Sequence, residues 1–165
     1  MNPLIFLDTE TTGLDPALHE VWEIAWAVGD GEINSTFLTH DLRTADPEAL
    51  AKNGYYQRFD GAPLAADAEV RPILDGATIV GCNPAFDTAF LRARWGLAPW
   101  HHRLVAVESM ALQAFGWDRP KGLAAVRDHL VEAGFDIPEP DHTAAGDVAT
   151  LRAVYHSLRT IGAAS

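Results

Sequence analysis

Asp8 and Glu10 stand two residues apart where a short apolar run, Leu4-Ile5-Phe6-Leu7, comes to an end. In an extended chain both side chains point to one side, with Cα atoms about 6 to 7 Å apart. Two carboxylates so placed repel each other unless a cation sits between them, and oxygen-only donors suit Mg²⁺ or Mn²⁺. The same pair also fits the start of a solvated turn, so its spacing alone does not choose. Asp87 is a third acid, on the same side of its helix as Phe90 and Leu91. It borders an apolar stripe, yet an acid in a first helical turn also complements the helix dipole without any metal. His142 and Asp147 complete the set. Five residues along one continuous helix diverge by about 140°, so the two converge only if His142 lies on the loop leading into the helix. Pro138 and Pro140 favour such a loop, while Asp147 falls in a row with Leu151, Val154 and Leu158. Taken alone, His142 also fits an exposed loop histidine.

The five residues explain one another. Four carboxylates can hold two divalent cations about 3.5 to 4 Å apart, an arrangement that cleaves phosphodiesters, and a histidine near neutral pKa can take the proton from the attacking water. Such general-base help is worth about 10² to 10⁴ in rate.

These residues need rigid elements to position them. The pattern predicts a buried strand at 4–7, stopped by Asp8 and the Thr11-Thr12-Gly13 turn signal, and a strand at 21–28. In that second strand Trp22, Ile24, Trp26 and Val28 share one face, with Val21, Glu23, Ala25 and Ala27 on the other. Gly29-Asp30-Gly31 turns the chain into a third strand over 32–39. A short helix follows Asp46-Pro47, residues 60–63 read as a loop, and 67–75 as a helix. Strands at 77–81 and 104–107 complete five. Asn83 as N-cap and Pro84 at the first helical position predict a helix over 84–95. Further helices are expected at 108–116, 121–133 and 143–161, the last capped by Asp141 or Thr143. This order implies an α/β domain with a central mixed five-stranded sheet flanked by helices, residues 1–165 forming a single unit.

Composition sets the outer bounds. Fifteen aromatic residues among 48% hydrophobic ones exclude a wholly disordered chain, and the single Cys82 excludes an internal disulfide framework. No apolar run approaches a membrane span and no signal-peptide pattern opens the chain, so a cytoplasmic location without membrane partners is expected. The net charge of −11 disfavours broad electrostatic binding to nucleic acid. It does not exclude a cleft in which bound cations invert the local field.

Three stretches carry a family resemblance: Ile5-Phe6-Leu7-Asp8-Thr9-Glu10-Thr11-Thr12-Gly13-Leu14, Val80-Gly81-Cys82-Asn83-Pro84-Ala85-Phe86-Asp87 and His142-Thr143-Ala144-Ala145-Gly146-Asp147. In this order the chain resembles the DEDDh (DnaQ-like) 3′-to-5′ exonucleases, a family that includes the proofreading subunit of bacterial replicative polymerase. The resemblance implies a ribonuclease-H-like fold. It implies Asp8, Glu10, Asp87 and Asp147 as ligands of two Mg²⁺ or Mn²⁺ ions, and His142 as general base. It further implies that Thr11, Thr12 and Gly13 cradle the terminal nucleotide, that Leu14 wedges beside its base, and that Asn83 and Phe86 line the site. Two departures bear on substrate fit: Cys82 replaces the family's frequent His, and Ala145-Gly146 replaces a bulkier pair. The short stretch after the third motif predicts a freestanding nuclease, with a DNA polymerase or repair protein as candidate partner.

The expected substrate is the 3′ end of single-stranded or frayed DNA. RNA ends are the alternative in the same fold, and a catalytically silent binding module is the alternative of another class. Glu23 receives no catalytic role, and Cys82 reads as a small buried hydrophobe. The His101-His102 pair reads as surface or packing, and Trp22 and Trp26 as core.

Overall fold

Two apolar segments rich in Ile, Val, Leu and Trp and a third, more polar one pair into an antiparallel ribbon: β1 (Leu4–Thr11), β2 (Val21–Val28) and β3 (Ile33–Leu38). The computed structural model describes residues 2–164. After the ribbon come α1 (Pro47–Lys52), α2 (Tyr55–Arg58), β4 (Leu64–Ala65), α3 (Asp67–Val70) and a 3₁₀ turn (Arg71–Leu74). The remainder is β5 (Thr78–Gly81), α4 (Pro84–Trp95), β6 (Val105–Ala106), α5 (Val107–Phe115), α6 (Leu123–Glu132) and α7 (Ala144–Ala164). The sheet runs β4-β3-β2-β1-β5-β6, with β1 antiparallel to β2 and parallel to β5. Among the described residues no helix is long and apolar enough to cross a membrane.

The mixed α/β architecture is as expected, but the sheet has six strands rather than five. The sixth is β4, a two-residue strand that pairs Leu64 and Ala65 with Phe37 and Leu38 at the edge of β3. Two residues carry no alternation to read; the free edge of β3 decides their conformation. β1 also outruns its apolar stretch. Asp8, Thr9, Glu10 and Thr11 stay in the ladder opposite Ala25, Ile24, Glu23 and Val21, because backbone pairing with β2 is indifferent to side-chain polarity. The helix expected over 67–75 divides at Pro72, whose missing N–H cannot continue α-helical bonding. α2 follows Gly54, which turns the chain with φ 65°.

Helices cover both faces, so the central strand is buried on both sides. Ile5, Leu7, Ile24 and Ile79 pack with Phe90 and Leu91 of α4 on one face. Phe6, Ala25, Ala27 and Val80 pack against α5, α6 and α7 on the other, with Val148, Leu151 and Val154 lying on the sheet. Each such large side chain contributes about 1.5 to 3 kcal/mol of burial. A smaller cluster of Trp22, Leu50 and Tyr55 closes the end beneath α1 and α2.

The expected division of the β2 side chains fails at one place. The register slips between Glu10, opposite Glu23, and Thr11, opposite Val21, leaving Trp22 as an extra residue. This bulge sends Val21 to the Ile24 face instead of the Ala25 face and turns Trp22 toward Phe37 and Tyr55. Bulges re-aim side chains in this way and are over-represented beside active sites.

Candidate active site

The end of β1 opens into a cavity of about 400 Å³ whose lining includes Asp8, Glu10, Asp87, His142 and Asp147. Residues separated by more than 130 positions in the chain thus share one hollow. Asp8, Glu10 and Asp147 each present an oxygen such that the three atoms lie within 4.8 Å of one another. Asp8 and Glu10 reach the same side because β1 stays extended. Asp147 joins them from the first turn of α7, held there by Leu151, Val154 and Leu158 in the core.

Asp87 sits deeper and differently. Its Oδ1 accepts hydrogen bonds from the backbone N–H of Thr9 at 3.0 Å and the Thr9 hydroxyl at 2.7 Å, tying α4 to β1. Asp87 is therefore not among the three clustered ligand atoms, although it lines the same cavity.

Burial and mutual repulsion dominate the electrostatics. Burial, then the charges of Asp87, Asp147, Glu10 and Glu23, hold the Asp8 carboxyl well above the ordinary carboxylate range. Burial, with Asp147 and Glu23 adding, pushes Glu10 up to about 8 against the opposing pull of Arg58 and a hydrogen bond from Asn53. Burial lifts Asp87 to about 7 despite the Thr9 hydrogen bonds, and it raises Asp147 despite the His142 N–H. Among the described residues none of these four crowded acids has an ion-pair partner, and the more distant Arg58 offsets the repulsion on Glu10 only in part. Their all-oxygen donor set and close approach fit a hard divalent cation.

His142 lies on the loop before α7, as its spacing from Asp147 required. It is exposed and has a left-handed backbone, φ 59°. Its N–H points to Asp147 Oδ1 at 3.3 Å, and its carbonyl accepts from Arg58 Nη1 at 3.1 Å. Of the two expected caps Thr143 serves, its Oγ1 accepting from Gly146 N, while Asp141 Oδ1 accepts from the N–H and hydroxyl of Thr143 ahead of the helix. Gly146 leaves room for the Asp141 carboxylate, which would have to move away from Thr143 if a Cβ stood there.

Among the other expected site residues, Thr11, Leu14, Asn83 and Phe86 line the cavity. Leu14 is 75% exposed at its mouth. Thr12 and Gly13 stand behind it. Thr12 is buried and bonded to Glu20 through backbone and hydroxyl, and Gly13 lies against the His19 ring. Asn83 occupies the N-cap position of α4, but with a left-handed backbone, φ 56°, and no side-chain cap; the expectation that its side chain caps the helix is corrected. Cys82 lines the cavity with its thiol pushed up to about 12 by burial, which fits an inert sulfur rather than a nucleophile.

The sequence reading missed the opposite wall. Asp46, Glu48, Lys52 and Asn53, on and around α1, line the cavity, and Asn53 Nδ2 donates to the Thr11 carbonyl at 3.0 Å. It also passed over Glu23. A charged residue on the inward face of β2, between Val21 and Ala25 in the alternation, was the available signal, since buried charges require partners.

No protein-family model matches the chain, and no curated protein does. Solved structures do. Escherichia coli exonuclease I in complex with a dT13 oligonucleotide matches with a TM-score of 0.71 at 21% identity, over 99% of this chain and 42% of that one. Exonuclease I from Methylocaldum szegediense matches at 0.67 and 19%, over 97% and 41%. Brucella melitensis NrnC with bound Mg²⁺ matches at 0.63 and 18%, over 97% and 73%. The chain thus spans about two-fifths of the exonuclease I structures. At these identities the likeness is one of fold. The mixed sheet with its flanking helices is the ribonuclease-H-like architecture of these nucleases.

Proposed function

We propose that this protein is a divalent-cation-dependent 3′-to-5′ exonuclease that removes nucleoside 5′-monophosphates from the 3′ end of single-stranded or frayed DNA. One observation carries the reading: three carboxylates within 4.8 Å of one another, with Asp87 and His142 in the same cavity. Exonuclease I, whose fold this chain shares, has been seen with an oligonucleotide, and NrnC with Mg²⁺.

Asp8, Glu10 and Asp147 would hold the metal, with Asp87 completing a two-ion set of Mg²⁺ or Mn²⁺. When bound, such a pair supplies an acidified water and neutralises charge on the leaving 3′-oxygen. The chain's own residues do the rest. His142, neutral, accepts a proton from the water as it attacks phosphorus; the P–O3′ bond breaks, and the 3′-oxygen leaves with a proton from solvent. Leu14 and Phe86 offer apolar surface to the terminal base, where stacking and packing grip a strand that the protein's net charge repels. Thr11 and Asn83 contact its sugar and phosphate, while Thr12 and Gly13 fix the loop that presents Leu14. A polymerase or repair protein would deliver such ends.

A 5′-labelled ladder assay on matched DNA and RNA oligomers tests this. Stepwise shortening with Mg²⁺ or Mn²⁺, abolished by chelator and by Asp147→Asn, is expected, faster on DNA. Preference for RNA replaces the substrate with RNA ends. Degradation unaffected by Asp147→Asn, or none with any metal, overturns the nuclease reading.

A further inference from the structure

Arg58 joins three elements that the chain keeps far apart. Its Nη2 pairs with Glu23 of β2, and its Nη1 donates to the Asn53 carbonyl at 2.9 Å and to the His142 carbonyl at 3.1 Å. Glu23 is 4% exposed, and its Oε2 also accepts from the Ala144 N–H, the first residue of α7, at 3.3 Å. The guanidinium lies over the wholly buried Trp22 ring, 5.0 Å from its centroid. The loop of residues 142–144 is thereby gripped just after a backbone turn, φ 59° at His142, that L residues seldom adopt.

This arrangement has a directional consequence. His142 C=O and Ala144 N–H flank Thr143, directly C-terminal to the Cα that carries the His142 side chain, and both are anchored to one buried ion pair. The His142 side chain is itself exposed and has no hydrogen bond of its own among the described residues. It lines the acidic cavity, and the backbone that carries it is what the ion pair holds. Only a forked donor serves here: Arg places N–H groups on Glu23 and on the loop together, whereas Lys presents a single point.

We propose that Arg58, locked to Glu23, is a positioning residue that fixes the His142 loop over the acidic cavity. The idea rests on the nuclease reading for its catalytic consequence, but the clamp itself can be tested without catalysis. In metal-free protein, amide hydrogen exchange at Ala144 should quicken about tenfold in Arg58→Lys and in the milder Glu23→Gln, while Thr150–Val154 of α7 keep their protection. In steady-state assays Arg58→Lys should lower kcat by about 10- to 30-fold with KM changed less than about twofold. In a His142→Ala background the same substitution should change kcat less than about twofold. A purely structural role predicts equal losses in both backgrounds, and that result overturns the proposal. So does unchanged exchange at Ala144 in both variants. If the unaltered protein degrades neither DNA nor RNA, the nuclease reading falls and the exchange data alone decide whether Arg58 clamps the loop.

Discussion

Glu10 and Glu23 face each other directly across the β1–β2 ladder, yet they live in opposite electrostatic worlds. Glu23 is paired with Arg58 and caps α7. Glu10 has Arg58 only at a distance, shares its space with Asp8 and Asp147, and stays protonated up to about 8. Like charges opposite one another in a sheet are destabilising, so the pair must be compensated. The fold compensates Glu23 with its own arginine and leaves Glu10 among other acids, where the proposed function places a cation. Two identical side chains on one rung of the same sheet thus separate an acid partnered within the fold from the one assigned to the metal in the proposed function.

The sharpest way to break this comparison is to neutralise each side in turn. Asp8→Asn should reduce metal-dependent cleavage by on the order of 10³ or more, yet raise the stability of the metal-free protein at pH 8 by about 1 kcal/mol, because a crowded charge is removed. Oligomer degradation and chemical denaturation with chelator present measure the two effects. Glu23→Ala should do the reverse to stability: it strands a partly buried guanidinium and should cost about 2 to 4 kcal/mol, read as a lower denaturant midpoint. If both variants shift stability in the same direction, the division between the two acids is wrong.

Acidity sharpens the same contrast. Unfolded, Glu10 and Asp87 lose their protons near their ordinary values of 4.5 and 3.8; folded and without metal they keep them to about 8 and about 7. Between those limits the folded state binds more protons, so the metal-free protein should lose stability as pH rises from 5 to 8.5. The drop should be about a few kcal/mol, flattened in Glu10→Gln, and Mn²⁺ should restore progressively more at higher pH. Denaturant midpoints across that range, with chelator and then with Mn²⁺, provide the check.

The smallest expected effect lies at the rim. Among the described residues Lys52 is the one lysine or arginine lining a cavity that also holds Asp8, Glu10, Asp46, Glu48, Asp87 and Asp147. Lys52→Glu should raise KM for an oligonucleotide about 3- to 10-fold at low salt, leave kcat within about twofold, and lose its effect as salt is added. A KM insensitive to this change would place the strand elsewhere.

Much of this was legible in the chain. The apolar run before Asp8, the alternation of β2, and the Asn83-Pro84 start of α4 announced their elements, because burial and turn chemistry leave local traces. The need for His142 to lie outside the helix of Asp147 followed from helical geometry alone. β4 left no trace, since two residues hold no period, and α2 none, since four residues after Gly54 form a turn of helix only where Tyr55 finds Trp22 and Phe59. The Trp22 bulge was hidden because it is a property of the pairing between two strands and of neither strand by itself.

The sequence by itself determined which acids are candidates for chemistry and on which elements they ride. It determined Asp8 and Glu10 at the end of a central strand, Asp87 on the first turn of one helix, Asp147 on the buried stripe of another, and the acidic excess that demands cations. Only the tertiary structure decided that Asp8, Glu10 and Asp147 come within 4.8 Å while Asp87 is taken up by Thr9, and that Glu23 belongs to Arg58. The reason is physical. Periodicity and caps are local and written in neighbouring residues, whereas the charge state and partner of a buried acid depend on groups brought beside it from 35 to 139 positions away.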